Sequence, residues 1–180
     1  MAFQNNPYDF ISEELEEGNV YLFYTNLNKL YTVYFDPSEY ADYLDKFPFL
    51  LSHGFGFGFY FEQISEKTKK GNDDRVLPTI FEIGLDFLNE NPTNTILLYH
   101  CDSKDKRQTY RHELFEDWYK ALPPEKVYMH SIEVKIAQPD GELISHYLGF
   151  ITNASNPNIE KAILELEDFA MDLIKIKSSK

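Results

Sequence analysis

Residues 95–112 read TILLYHCDSKDKRQTYRH, and they decide the fold because the pattern changes there from a buried strand to a helix. The first six residues are almost all apolar, which is typical of a short central strand covered on both faces. The polar residues that follow predict a helix that begins near Ser103 or Asp105 and ends at Leu122, just before two prolines. A covered central strand beside a helix predicts a layered domain of strands and helices.

Two β-hairpins lie on either side of this unit in the sequence. Apolar runs at 20–25 and 30–35 are separated by four residues, and runs at 127–137 and 142–152 are separated by a turn that ends in Asp-Gly. Strand-like runs joined by such short connections are typical of hairpins, and Asp-Gly is a strong turn signal. The run GFGFGFYFEQ at 54–63 predicts one further strand.

Two more helices are predicted around these strands. An apolar stripe at 3.6-residue spacing predicts a helix over 74–91, and a last helix is expected to have Asn156 as its cap and Pro157 as its first residue. The expected fold is therefore a single α+β domain. It has about six strands in a largely antiparallel sheet, in the order β-β-β-α-β-α-β-β-α, with three main helices packed on it. We assign residues 1–18 to a polar, acidic arm or short helix, 19–177 to the domain and 178–180 to a tail.

The composition limits the classes of partner and site. The 180 residues carry a net charge of −13, which opposes binding to nucleic acid and to anionic membrane surfaces. A single cysteine excludes an intrachain disulfide and a zinc site built from several cysteines. The first residues lack the pattern of a signal peptide, and no apolar run approaches the roughly 20 residues of a membrane helix. We therefore expect a cytoplasmic protein with no metal, no cofactor and no membrane contact.

The junction between the central strand and the next helix holds the candidate ligand-binding residues, Asp102, Asp105, Arg107 and Arg111. The two aspartates lie where a helix begins, so each is able to cap free backbone N–H groups. The two arginines fall along the edge of the helix's apolar stripe, where guanidinium groups need acceptors. Two hypotheses stay open: the arginines pair with internal carboxylates, or they hold an anionic ligand together with the helix start.

Other reactive residue types lie near this junction or on the second hairpin. In the helix, Tyr110, Leu114 and Trp118 are predicted to form the inner apolar stripe. Cys101 ends a strand before a helix start, a position that can lower the pKa of a thiol, but a lone cysteine is more commonly a small apolar core residue. His130 and His146 fall on facing strands, and a metal there would still need a third ligand. We assign no catalytic residue.

The stretch HGFGFGFYF at 53–61 partly matches the glycine and aromatic octamer of RNA-recognition motifs. The phenylalanines at 55, 57, 59 and 61 are expected on one face of the strand and the glycines on the other, where close approach is possible. One hypothesis is stacking of single-stranded nucleic acid on these rings. The other is a core strand whose glycine face accommodates a crossing helix, and the element order and the acidic charge favour this second hypothesis.

The stretch YHCDSKDKRQTYRHELFEDWY at 99–119 resembles a signature of a family of small uncharacterised bacterial proteins, mainly from Bacteroidota-type bacteria. The resemblance rests on the pattern Cys-Asp-x-x-Asp-x-Arg-x-x-x-Arg-x-x-x-Phe-x-x-Trp, which runs from Cys101 to Trp118 here. The family often has Gly where this chain has Lys106, a departure that would alter a tight turn. The resemblance covers roughly residues 20–120 and implies a shared fold but no known activity.

These observations favour a cytoplasmic, non-catalytic binding or protein-interaction module. Its acidic, aromatic-rich composition suits a basic protein partner, and tyrosines of the hairpin at 20–35 are candidate contact residues. The alternative is an enzyme that binds a small anionic molecule or a nucleotide at 101–111, with Arg107 and Arg111 on its phosphate or carboxylate. A third hypothesis is single-stranded nucleic-acid binding through the Phe-Gly strand.

Overall fold

A mixed β-sheet forms the centre of the fold. The computed structural model describes residues 6–15, 18–65, 71–101, 106–122, 125–137 and 141–178. Within these ranges seven strands form one sheet, in the spatial order β1-β2-β3-β4-β5-β7-β6. The strands are Ile11–Leu15 (β1), Gly18–Tyr24 (β2), Lys29–Asp36 (β3), Gly54–Gln63 (β4), Ile96–Cys101 (β5), Val127–Ala137 (β6) and Leu143–Asn153 (β7).

Helices cover both faces of this sheet. Each buries an apolar side against the strands, as amphipathic helices do in layered domains. A short 3-10 turn at Ala41–Tyr43 precedes the first of them. The α-helices of the described chain are Pro48–His53 (α1), Val76–Glu90 (α2), Gln108–Ala121 (α3) and Ile159–Ser178 (α4).

The alternation of side chains along β5 divides the core into two layers. Leu97 and Tyr99 are buried on the face covered by α2 and α3. Ile96 and Leu98 are buried on the opposite face, with residues of α1 and α4. This central strand is therefore covered on both faces, as its apolar sequence predicts.

Neighbouring strands are antiparallel throughout, except that β4 and β5 run parallel. A parallel pair needs a crossover connection, and α2 provides it between β4 and β5. The expectation of an α+β fold with a largely antiparallel sheet is confirmed. The counts differ, because the structure has seven strands and four α-helices. The added helix α1 has six residues, too few for an apolar stripe to be recognised in the sequence.

The added strand is β1, and here the prediction of an arm or short helix is wrong for Ile11–Leu15. This strand pairs with β2 from Ile11↔Leu22 to Leu15↔Gly18 and lies at the edge of the sheet. All five of its residues are exposed. An edge strand that is solvated on both faces shows no alternation of buried and polar residues, so its sequence carries no strand signal.

Both later helices begin further along the chain than predicted. Helix α3 begins at Gln108, and the proposed caps Asp102, Ser103 and Asp105 lie outside the described residues. Helix α4 begins at Ile159 instead of at residue 157.

The side chain of Asn156 makes a turn before α4. It accepts the Asn158 N–H at 2.9 Å and donates to Thr152 Oγ1 at 2.8 Å. The Thr152 hydroxyl in turn donates to the Thr95 carbonyl at 2.7 Å. This buried polar chain fastens the start of α4 to β7 and to the start of β5.

Candidate functional site

Where β4 separates from β5, the described residues enclose a cleft. The two strands pair only from Gly54↔Ile96 to Gly56↔Leu98. Beyond that point β4 continues beside β3 and β5 continues beside β7, where its last pair is Cys101↔Tyr147. The strands diverge at their carboxyl ends, which is where open sheets with parallel strands place ligand sites.

We call the resulting space the strand-split cleft. It has a volume of about 660 Å³, and it is lined by residues of β3, β4, β5 and α3 and of the segments before α1 and α2. Aromatic side chains dominate its walls, and Arg107, Arg111, Lys29, Glu39 and Asp73 supply charged groups. A volume of this size suits a small organic molecule.

Helix α3 brings two of the four predicted ligand-binding residues to this cleft. Arg107 is the residue before the helix and Arg111 lies one turn later, and both line the cleft. Arg107 is exposed and Arg111 half-buried. The other two candidates, Asp102 and Asp105, lie outside the described residues.

The turn before α3 has an unusual backbone conformation at Lys106, where φ is 59°. Only Gly adopts this left-handed region without cost, because a Cβ crowds the backbone there. Lys106 therefore occupies a position where Gly is favoured. The turn leads directly into Arg107.

The inner stripe of α3 includes the predicted Trp118 and the half-buried Leu114, but Phe115 and not Tyr110 completes it. Trp118 and Phe115 are buried, whereas Tyr110 is 64% exposed at the cleft. Phe115 stacks on Tyr99 with ring centres 4.3 Å apart and contacts Phe57 edge-on at 5.9 Å. These rings form an apolar wall that connects α3 to both separating strands.

Cys101 is a buried core residue and not an activated thiol. It is 1% exposed, and burial raises its pKa to about 11, although the nearby Arg111 charge partly opposes the rise. The idea that the helix start lowers this pKa is therefore wrong, because desolvation dominates. At neutral pH the group remains a protonated thiol, which is a poor nucleophile.

The glycines of β4 make room for side chains on the opposite wall of the cleft. A Cβ on Gly56 would collide with the Glu39 carboxylate, and a Cβ on Gly58 would collide with the Tyr34 ring. The expected crossing helix is not what these glycines meet: at Gly54 the close approach is the Leu50 carbonyl of the preceding helix α1, which Gly54 caps. The alternating glycines are the sequence signal for this wall.

The pKa values of the titrating groups on this wall are raised, which favours their neutral forms. Burial and the neighbouring Asp36 raise the pKa of Glu39, while a hydrogen bond from Tyr40 opposes the rise. Burial first, then the Glu39 charge, raises the pKa values of Tyr34 and Tyr40. Both phenols therefore remain protonated donors at neutral pH.

The far rim of the cleft is closed by the N-terminal segment and the start of α2. The Tyr8 hydroxyl donates to Asp73 Oδ2 at 2.9 Å and accepts the Asn26 N–H at 3.1 Å. On the same rim, Lys29 Nζ lies 4.3 Å from the centre of the Phe61 ring. These contacts join β3, β4 and the residues before α2 around one opening.

The Phe-Gly strand does not present its aromatic residues as a free stacking surface. Phe57 is buried and stacks on Phe35 at 5.5 Å, and Phe55 packs edge-on against Phe87. Phe59 is half-buried near Trp118. Most rings that single-stranded nucleic acid would need are therefore core residues.

The histidines of the second hairpin do not form a metal pair. His130 lies opposite Phe150, and His146 lies opposite Val134. His146 instead stacks near His100, with ring centres 5.7 Å apart. Within the described ranges, no three His, Cys, Asp or Glu side chains are grouped so that they could hold a metal ion.

Comparison with known proteins assigns the chain to a family but not to an activity. Residues 72–170 match the family described as "Family of unknown function (DUF6169)", and the chain belongs to that family. The expectation of an uncharacterised family is confirmed, although the match begins and ends later than the predicted 20–120. Neither the curated proteins nor the solved structures give a match. None of the described helices is long and apolar enough to cross a membrane.

Proposed function

We propose that this protein is a non-catalytic binding module that holds a small anionic molecule with a flat, unsaturated part in the strand-split cleft. The observation that carries the proposal is the divergence of β4 and β5 after three paired residues, which opens about 660 Å³ beside Arg107 and Arg111. We place this binding in a bacterial cytoplasm, a setting supported by the family resemblance and the acidic composition with a single cysteine.

The lining of the cleft supports this ligand class. Phe61 and Tyr110 are exposed and Phe59 is half-buried along the cleft, so their rings can contact a flat molecule. Guanidinium groups are planar and match carboxylate and phosphate oxygens in pairs, so Arg107 and Arg111 suit the anionic end. Phenol hydroxyls that stay protonated add neutral donors to the same space.

The same groups argue for binding without a chemical step. The Cys101 thiol and the Tyr34 and Tyr40 phenols have raised pKa values, so they are poor nucleophiles and poor bases at neutral pH. In the enzyme hypothesis, Asp102 or Asp105 carries out the proton transfer. Both of these residues lie outside the described residues. Turnover of a bound compound would favour that alternative over our proposal.

The test is thermal unfolding with defined probes: benzoate, phenyl phosphate and adenosine monophosphate. A compound present at about 100 times its Kd stabilises by about 2.7 kcal/mol, or roughly 5–10 °C for a chain of this size. We expect at least one probe to give such a shift in the wild type and to give much less in Arg111→Gln.

The matched control is Lys120→Gln, which removes a positive charge from the outer face of the same helix. Lys120→Gln should show the same ligand-induced rise in melting temperature as the wild type. If no probe stabilises the wild type, or if Arg111→Gln and Lys120→Gln respond alike, the proposal is wrong. The melting temperature of each unliganded variant shows whether the substitution alone perturbs folding.

A further inference from the structure

Among the described residues, no α-helix covers one side of the N-terminal half of the sheet. Residues directly opposite each other on neighbouring strands share a face. One such row runs from Ile11 through Leu22 and Thr32 to Tyr60. We call this side of β1–β4 the open sheet face, and its apolar members include Ile11, Leu15, Val20, Leu22, Tyr24, Leu30 and Tyr60.

The apolar side chains of this face are accessible. Ile11 is 59% exposed, Tyr24 60% and Tyr60 51%, and Leu22 and Leu30 are half-buried. The apolar cluster beneath α1 and α4, on the same side of the sheet, takes its strand residues from β5, β6 and β7. Among the described elements, helices thus cover the C-terminal half of this side, and the cluster beneath them includes no residue of β1–β3.

The charged strand residues of the open sheet face are all acidic. Its strand positions include Glu13, Asp36 and Glu62 and neither lysine nor arginine. Lys29, at the start of β3, points to the other side, where its Nζ lies over the Phe61 ring. Glu39 adds a further carboxylate where it covers Gly56.

We infer that the open sheet face docks a protein partner whose contact surface has an apolar centre flanked by lysine or arginine side chains. Apolar residues with accessible rings supply contact area, and carboxylates around them select a positively charged partner. A second copy of this chain fits poorly, because two open faces would bring Glu13, Asp36 and Glu62 against the same acids.

The probe is a short fluorescent peptide of alternating Leu and Lys, compared with one of alternating Leu and Glu, both measured by anisotropy. We expect the Leu-Lys peptide alone to bind, with an affinity that falls as salt rises. Glu13→Lys with Glu62→Lys should weaken binding roughly tenfold or more, and so should Ile11→Ser with Tyr24→Ser.

Matched controls lie on α4, where exposed residues of the same types occur. Leu164→Ser with Met171→Ser is the apolar control, and Glu160→Lys with Asp168→Lys is the charge control. Both should leave peptide affinity within about twofold. All substituted side chains are exposed, so the variants are expected to fold, and their melting temperatures check this.

The inference has three ways to fail. It is overturned if the Leu-Lys peptide does not bind, if the Leu-Glu peptide binds equally well, or if the open-face variants bind like their controls. Sedimentation of the free protein adds a separate test. A dimer that Ile11→Ser with Tyr24→Ser dissociates would assign the face to self-association and overturn the basic partner.

Discussion

The guanidinium of Arg75 lies 3.9 Å from the centre of the Tyr8 ring. From this position Arg75 Nε donates to the Asn6 carbonyl at 2.6 Å, and Nη2 donates to the Pro7 carbonyl at 2.7 Å. One side chain at the start of α2 therefore holds the segment that leads into β1. The same segment closes the rim of the strand-split cleft through Tyr8 and Asp73.

Removing this anchor should weaken the whole N-terminal half. We expect Arg75→Ala to lower the free energy of unfolding by about 2 kcal/mol, because it loses two charge-assisted hydrogen bonds and a cation–π contact. Arg75→Lys should fall between wild type and Arg75→Ala, since an ammonium cannot reproduce the planar fork. Urea unfolding measures both, with Lys126→Ala as an exposed control. An effect equal to that of the control would contradict the anchoring role.

Glu165 of α4 caps the short helix α1. Its carboxylate accepts the Phe49 N–H at 3.0 Å and the Leu50 N–H at 2.9 Å. We expect Glu165→Ala to cost about 1–2 kcal/mol, because these N–H groups would lose their acceptor. Asp168→Ala, on the exposed face of the same helix, should cost much less. Urea midpoints that do not separate the two variants would show that the cap contributes little.

Position 106 should accommodate Gly better than the Lys that is present. Its φ of 59° is costly for a side chain with a Cβ, so Lys106→Gly is expected to stabilise the protein by about 0.5–1 kcal/mol despite the greater chain entropy of Gly. Lys126→Gly, where φ is not in this region, should give no gain. A lower denaturant midpoint for Lys106→Gly would show that the turn relaxes without cost in the wild type.

Stability at alkaline pH should report the buried thiol. The folded-state pKa of Cys101 is about 11 against an ordinary 9.0, so the folded protein retains a proton that the unfolded chain loses. The contribution of this protonated thiol to the free energy of unfolding is complete below pH 9 and is lost as the pH rises towards 11. Cys101→Ala is expected to be less stable than the wild type at neutral pH. The difference in the free energy of unfolding between the two proteins should therefore shrink as the pH rises from 9 to 11. Urea unfolding of both proteins at several pH values checks it, and a constant difference would contradict the shift.

Alkylation gives an independent measure of the same group. A thiol with a pKa of about 11 has roughly 100-fold less thiolate at pH 8 than one with the ordinary pKa of 9.0. Iodoacetamide should therefore label native protein at least that much more slowly than the urea-unfolded chain. Rapid native labelling would contradict both the burial and the raised pKa.

Local patterns predicted much of the C-terminal half of the fold. The β6–β7 hairpin follows from its turn residues, and the central strand β5 follows from its apolar run. The phase of α3 was misjudged at Tyr110 because the stripe of this helix is weak, with several half-buried positions.

The cleft could be predicted only in part. Arg107 and Arg111 were found because they lie on one helix after a recognisable strand. The opposing wall, with Tyr34, Glu39 and Tyr40, depends on where β4 stops pairing with β5, a contact between segments about 40 residues apart. No local sequence pattern gives the number of residues over which two distant strands pair.

The three-residue pairing of β4 with β5 also determines where the chain can be cut. The segment that matches the family begins at residue 72, after β4 has ended. A fragment cut there would turn β5 into an edge strand, although five of its six residues are buried in the whole protein. Exposed apolar edges recruit other chains, so such a fragment is expected to aggregate. The part of this molecule that matches the family is thus expected to depend on the N-terminal strands for its solubility, and expression trials should retain β1–β4.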